Sequence, residues 1–89
     1  MDIYKYELRN SSETSFTWSK ESEILDFKYI NGIPTIWVLH GEEFLFPTDY
    51  TFIVVPTGNS VLDTDEFKNY VGTDISDGWY VGHCFYKTF

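Results

Sequence analysis

The sequence predicts an α+β domain: a mainly antiparallel sheet of five to six strands with one short helix at about residues 64–71. Three observations carry that prediction. The chain has no alanine and no glutamine, while Ile, Val, Thr and the aromatics supply 40 of its 89 residues, a composition that favours strands. Several segments alternate apolar and polar side chains at the two-residue period of a half-buried strand. A single segment carries paired helix start and stop signals.

In the opening segment Tyr4, Tyr6 and Leu8 point one way and Ile3, Lys5, Glu7 and Arg9 the other, which reads as a half-buried strand. Residues 10–14 form a polar turn, and Phe16 with Trp18 marks a second short strand. Leu25, Phe27 and Tyr29 alternate with Asp26 and Lys28 up to Asn31-Gly32, a dipeptide that tolerates positive φ at both positions and predicts a tight hairpin. The returning strand, Thr35 to His40, is apolar on both faces through Ile36, Trp37, Val38 and Leu39, so a central place is expected for it. Pro34 is permitted at its start. Phe44–Phe46 and Tyr50–Val55 read as further strand around a turn at Pro47-Thr48-Asp49, and Thr57 to Ser60 as loop. The helix is expected from Thr64 to Val71, with Asp63 as N-cap, Glu66 three residues on and Gly72 as its stop. Residues 73–78 then read as loop, and Trp79 to Phe89 as a closing strand with Tyr80, Cys84 and Tyr86 on one face.

At 89 residues the chain is one domain, residues 1–89. A hydrophobic content of 43% with 20% aromatics places it among folding chains despite its charge. The uncharged run from Tyr29 to Gly41, which no other exceeds in length, is too short and too polar to span a bilayer. Met1-Asp2-Ile3-Tyr4 has no basic region ahead of an apolar stretch, so no signal peptide is expected, and Asn10-Ser11-Ser12 then carries no weight as a glycosylation site. The single Cys84 cannot form an internal disulfide, and the expected compartment is a reducing cytoplasm.

Charge is the strongest functional signal. Fourteen Asp and Glu stand against six Lys and Arg, for a net −8. Nucleic acids and anionic membranes are bound through clustered Lys and Arg, so direct binding to either is excluded, and an electrostatic partner should be basic. The excess is localised: residues 1–40 carry six acids and four bases, whereas residues 42–77 carry eight acids and one base, Lys68. Ordinary surfaces intersperse both signs. In an extended segment, residues two apart project from one face about 6.6 Å apart. Glu21 with Glu23, or Asp63 with Asp65, would then present charges at roughly the repeat of successive phosphates.

Catalytic and metal-binding patterns are weak. His83 and Cys84 are adjacent in a strand and therefore face opposite ways, so neither activates the other. Two histidines and one cysteine fall short of a four-ligand zinc set. Asp63, Asp65 and Asp74 occupy the first, third and twelfth places of a calcium loop, but Phe67 and Lys68 stand where an oxygen ligand and a glycine are required. Acids complementing a helix dipole explain Asp63, Asp65 and Glu66 more simply. Carboxylate pairs such as Glu42-Glu43 or Asp74 with Asp77 lack an accompanying Lys or Arg cluster, and no glycine-rich phosphate cradle is present. No cofactor, no metal and no enzymatic activity are expected. Eighteen aromatics exceed what one small core encloses, so some should lie at a surface, with Tyr50, Tyr70, Trp79 and Tyr80 as candidates beside the acidic stretch.

In length, composition and the acid-rich stretch from Glu42 to Asp77, the chain resembles the acidic DNA-mimic proteins of bacteriophages. These block nucleases, restriction systems or histone-like proteins such as HU. The resemblance lies in charge presentation and includes no diagnostic motif. It implies a non-enzymatic inhibitor whose carboxylates replace phosphates at the basic site of a host DNA-binding protein. The residues expected to contact that partner are Glu42, Glu43, Asp49, Asp63, Asp65, Glu66, Asp74 and Asp77, with Tyr70 as an apolar anchor. Two other readings stay open: an immunity protein that neutralises a basic nuclease toxin, and a structural or assembly subunit in which aromatics drive self-association. Edge-strand pairing into a homodimer is a further use of the aromatics.

Overall fold

Among the described residues every regular element is a strand. The computed structural model describes residues 1–10, 12–41, 44–58 and 67–89. The strands are β1 (Asp2–Glu7), β2 (Thr14–Ser19), β3 (Glu23–Ile30), β4 (Ile33–His40), β5 (Pro47–Pro56), β6 (Asn69–Ser76) and β7 (Tyr80–Thr88). They form two antiparallel sheets, one of order β1-β4-β3 and the other of order β2-β5-β7-β6. The expected α+β class is thus corrected to all-β, and five to six strands become seven.

The helix expected over 64–71 is the main correction. Residues 64–66 lie outside the described residues, Phe67 and Lys68 are in neither helix nor strand, and Asn69, Tyr70 and Val71 open β6. Cap signals specify only how a helix would begin and end, and an eight-residue helix is marginal without tertiary support. Here the tertiary contacts favour a strand. Phe67 is buried, Tyr70 pairs with Phe85 of β7 with ring centroids 5.5 Å apart, and Gly72 lies opposite Cys84. Gly72 is no helix stop; a Cβ there would stand 3.6 Å from the Cβ of Phe27, so the glycine lets β6 approach β3.

Two turns were also displaced. Pro47, Thr48 and Asp49 begin β5, with proline at a strand start, whereas Phe44–Phe46 lie outside any strand. Residues 73–76 continue β6, and the reversal follows at Asp77-Gly78-Trp79. The Asn31-Gly32 hairpin forms as expected, both residues having positive φ (51° and 78°). β4 is the central strand of its sheet.

The core lies between the inner faces of the sheets. Ile36, Val38 and Phe27 from one sheet meet Trp18, Tyr50, Phe52, Val54 and Cys84 from the other. Trp18 ties the sheets together: its ring lies 4.9 Å from Tyr6 of β1, 4.8 Å from Phe16 and 5.1 Å from Tyr50. Tyr50 is therefore core, only 4% exposed, and the expectation that it faces a partner is corrected. Its hydroxyl donates towards the carbonyls of Ser19 and Lys20, which lets a phenol be buried without an orphaned donor. Along the other flank β3 and β6 run side by side in the same sense, Phe27 beside Gly72 and the Tyr29 N–H donating to the Asp74 carboxylate at 2.9 Å.

Phe46 is 71% exposed and holds φ at 51°, a region where a bulky side chain is strained. Its conformation is held by Lys20 N–H, which donates to the carbonyls of Leu45 and Phe46, and by Thr48, whose hydroxyl donates to Phe46 O. Phe46→Gly should stabilise the domain by up to about 1 kcal/mol, since glycine adopts that φ freely and little buried surface is lost. Thermal denaturation would check this, and a fall in the midpoint would mean that the ring packs against the fold.

Candidate functional site

Two hairpin tips meet at one end of the molecule. The β3–β4 turn places Asn31 and Gly32 there, and the β6–β7 loop places Asp77, Gly78 and Trp79 beside it. Asp77 and Gly78 both have positive φ (54° and 79°), and Trp79 N–H closes the turn on Ser76 O at 3.3 Å. Ser76 pairs with Tyr80, so Trp79 is an extra loop residue with no cross-strand partner, and it stands 79% exposed. Its ring meets Tyr80 edge-on at 6.4 Å, and Tyr80 meets Tyr29 edge-on at 5.9 Å. Between them lies an open cleft of about 320 Å³ lined by Asn10, Tyr29, Gly32, Ser76, Asp77, Trp79 and Tyr80. It offers a tryptophan, two tyrosine rings, an amide, a hydroxyl and one carboxylate.

The acids expected to form a single binding face are distributed differently. Glu42, Glu43, Asp63, Asp65 and Glu66 lie outside the described residues. Asp49 sits near the start of β5, where it accepts a 2.7 Å hydrogen bond from the Thr17 hydroxyl. Asp77 sits at the opposite end of that sheet, separated from Asp49 by the length of β7, about 27 Å at the strand rise. Asp74 is turned into the seam, and the Tyr29 N–H it accepts holds its carboxyl below the usual range. Its role there is structural. Tyr70 is exposed on the outer face of its sheet, where its hydroxyl meets Thr73. Thr73 meets Nδ1 of His83 at 2.8 Å, and Nε2 of the same ring meets Thr57 at 2.7 Å. Of the described residues expected to contact the partner, only Asp77 joins the cleft, beside the surface-aromatic candidates Trp79 and Tyr80.

The reactive side chains are accounted for by packing. Cys84 is fully buried, and burial pushes its thiol up to about 12, so at neutral pH it is a protonated core residue. His83 faces the other side of β7, as strand alternation requires. His40 is held between the Tyr6 and Ser22 hydroxyls, each at 2.8 Å, and burial lowers its pKa. Among the described residues no group of three His, Cys, Asp or Glu comes together that could hold a metal ion. No helix there is long and apolar enough to cross a membrane.

Trp79 and Tyr80 were legible as surface aromatics, while Asn10, Tyr29 and Ser76 were not. The signal that would have found them is Asp77-Gly78, a dipeptide with the same turn chemistry as Asn31-Gly32. Two such turns in chains that pack together put their flanking residues at one end.

Fold and cleft together define a small two-sheet β domain whose best-equipped concavity is an aromatic cleft with an acidic rim. The chain belongs to the family described as a domain of unknown function, DUF7352, whose model matches residues 1–89. No curated protein and no solved structure matches it significantly.

Proposed function

We propose that this protein is a non-enzymatic acidic inhibitor, a DNA mimic that occupies the basic nucleic-acid-binding site of another protein in the cytoplasm. The observation that carries the reading is uncompensated, outward-facing negative charge. The chain is −8 overall, and Asp2, Glu7, Glu13, Glu21, Glu23, Asp26, Asp49 and Asp77 are all exposed. Among the described residues one ion pair forms, Lys87 with Glu13 at 3.7 Å.

The charge is not uniform along the chain. On the outer face of the β1-β4-β3 sheet, Lys5 and Asp26 flank Trp37, while Glu7 and Lys28 flank Thr35. Glu23 lies opposite Leu39 on the same face, so two lysines there meet three acids and that face is nearly balanced. The excess belongs to the chain from 42 to 77, which supplies β5, β6 and their connections. A basic partner is therefore expected, with affinity that falls as salt rises.

The test is a pull-down with the intact tagged protein from bacterial lysate, eluted by a salt gradient. The expected result is a nucleic-acid-binding protein released by salt and displaced by competing duplex DNA. Capture that neither salt nor DNA disturbs would overturn the reading. A purified nuclease toxin captured in the same way, from the genomic neighbourhood of this chain, would move it to the immunity class.

A further inference from the structure

We infer that the cleft between the β3–β4 and β6–β7 turns seats one arginine side chain of the basic partner. This rests on the basic-partner reading above and names where that partner is anchored. Trp79 is the most exposed of the large apolar side chains described, and its ring touches the fold only at its contact with Tyr80 among the described ring pairs. Its edge-on contact with Tyr80 leaves a ring face free, the surface on which a guanidinium stacks. Asp77 lines the same cleft and supplies a carboxylate for a charge-assisted hydrogen bond, and the Asn10 amide adds a further acceptor.

Size and rigidity agree with that occupant. A volume of about 320 Å³ is at the small end of ligand sites, suited to one long side chain. The turn geometry of Asp77 and Gly78 fixes the backbone at Trp79 before binding, so the ordering cost of association is confined to the side chain. Charge sign separates this cleft from the larger one, of about 500 Å³, at the opposite end. That cleft is lined by Lys20 with Thr48, Tyr50, Tyr86 and Phe89, and a cation there disfavours a basic guest.

The experiment uses the full chain labelled with ¹⁵N-tryptophan, titrated with the blocked tripeptide acetyl-Gly-Arg-Gly-amide, with its neutral citrulline isostere as control. Trp79→Phe assigns the Trp79 indole signal. The expected result is a saturable shift of that signal by the arginine peptide and none by the citrulline peptide. Trp79→Ala should weaken peptide binding about two- to fivefold. Asp77→Asn, which keeps a residue tolerant of positive φ, should also weaken it and flatten its salt dependence. Equal shifts with citrulline, or a response confined to Trp18 and Trp37, would overturn the inference. The same variants, applied to the protein captured by pull-down, separate the two claims. Unchanged salt-sensitive capture by Trp79→Ala removes the cleft and keeps the basic partner, whereas peptide binding with no basic protein captured keeps the cleft chemistry and removes the mimic.

Discussion

Gly82→Ala is expected to destabilise the domain by about 3 kcal/mol, the upper end of ordinary overpacking costs. A Cβ at Gly82 would fall 2.0 Å from the Tyr29 hydroxyl, 2.9 Å from Cγ1 of Val54 and 3.0 Å from Cζ of Tyr29. The phenol cannot swing away freely, because Tyr29 is wedged between Phe27 and Tyr80 with centroids at 5.5 and 5.9 Å. The Tyr29 hydroxyl is itself buried with no hydrogen-bond partner, and burial beside Tyr80 pushes it up to about 12. An unsatisfied buried hydroxyl is unfavourable, so Tyr29→Phe alone should be neutral or stabilising by up to about 1 kcal/mol. In the Tyr29→Phe background the cost of Gly82→Ala should shrink to about 1 kcal/mol, the residue of the Val54 and ring contacts. Urea denaturation of the four proteins measures the coupling. Strict additivity would show that the hydroxyl is not what Gly82 makes room for.

Phe27→Ala should cost more, about 4 kcal/mol, a large share of the 5–15 kcal/mol that holds a domain folded. Phe27 is 1% exposed and stands where β3 meets β6. Those two strands are not joined by a backbone ladder, so side-chain packing and the Tyr29–Asp74 hydrogen bond hold that flank closed. Removing the ring empties the junction at its centre. Phe27→Leu retains most of the volume and should cost about 1 kcal/mol. The denaturant midpoint at constant slope is the readout. A cost near 1 kcal/mol for alanine would mean that the flank collapses onto the vacancy and is more deformable than its packing implies.

Legibility in the sequence followed the range of the forces. Strands β1, β3 and β4 could be read because apolar and polar residue types alternate, or apolar ones run on, along a few consecutive residues, although in β1 only Tyr6 is half-buried and Tyr4 is exposed; Asn31-Gly32 declared its turn through local φ preference alone. The error at 64–71 has the same origin. Asp63, Glu66 and Gly72 do carry local helix signals, but Phe67, Tyr70 and Gly72 take their conformation from Lys87, Phe85 and Phe27, more than a dozen residues away in the chain. Local rules have no access to such partners. Asp77-Gly78 escapes a local reading because Thr73 to Ser76 before it holds a single apolar residue, Ile75, and lacks the apolar alternation that frames a hairpin; outward-facing Thr73 meets His83, and Ile75 stands exposed.

For the candidate site, composition determined the sign of the charge the chain presents and local sequence supplied the exposed tryptophan. Charge and residue type are additive properties of a chain, so folding leaves them unchanged. Only the tertiary structure decided which of these groups meet. It turned Asp74 inward to hold the seam, set Asp49 and Asp77 at opposite ends of one sheet, and buried Tyr50. It also brought Asn10, Tyr29 and Gly32 against Asp77 and Trp79, residues over forty positions apart in the sequence. Such meetings depend on how β3 and β6 pack across the core, a sum of many weak apolar contacts that no short stretch of residues encodes.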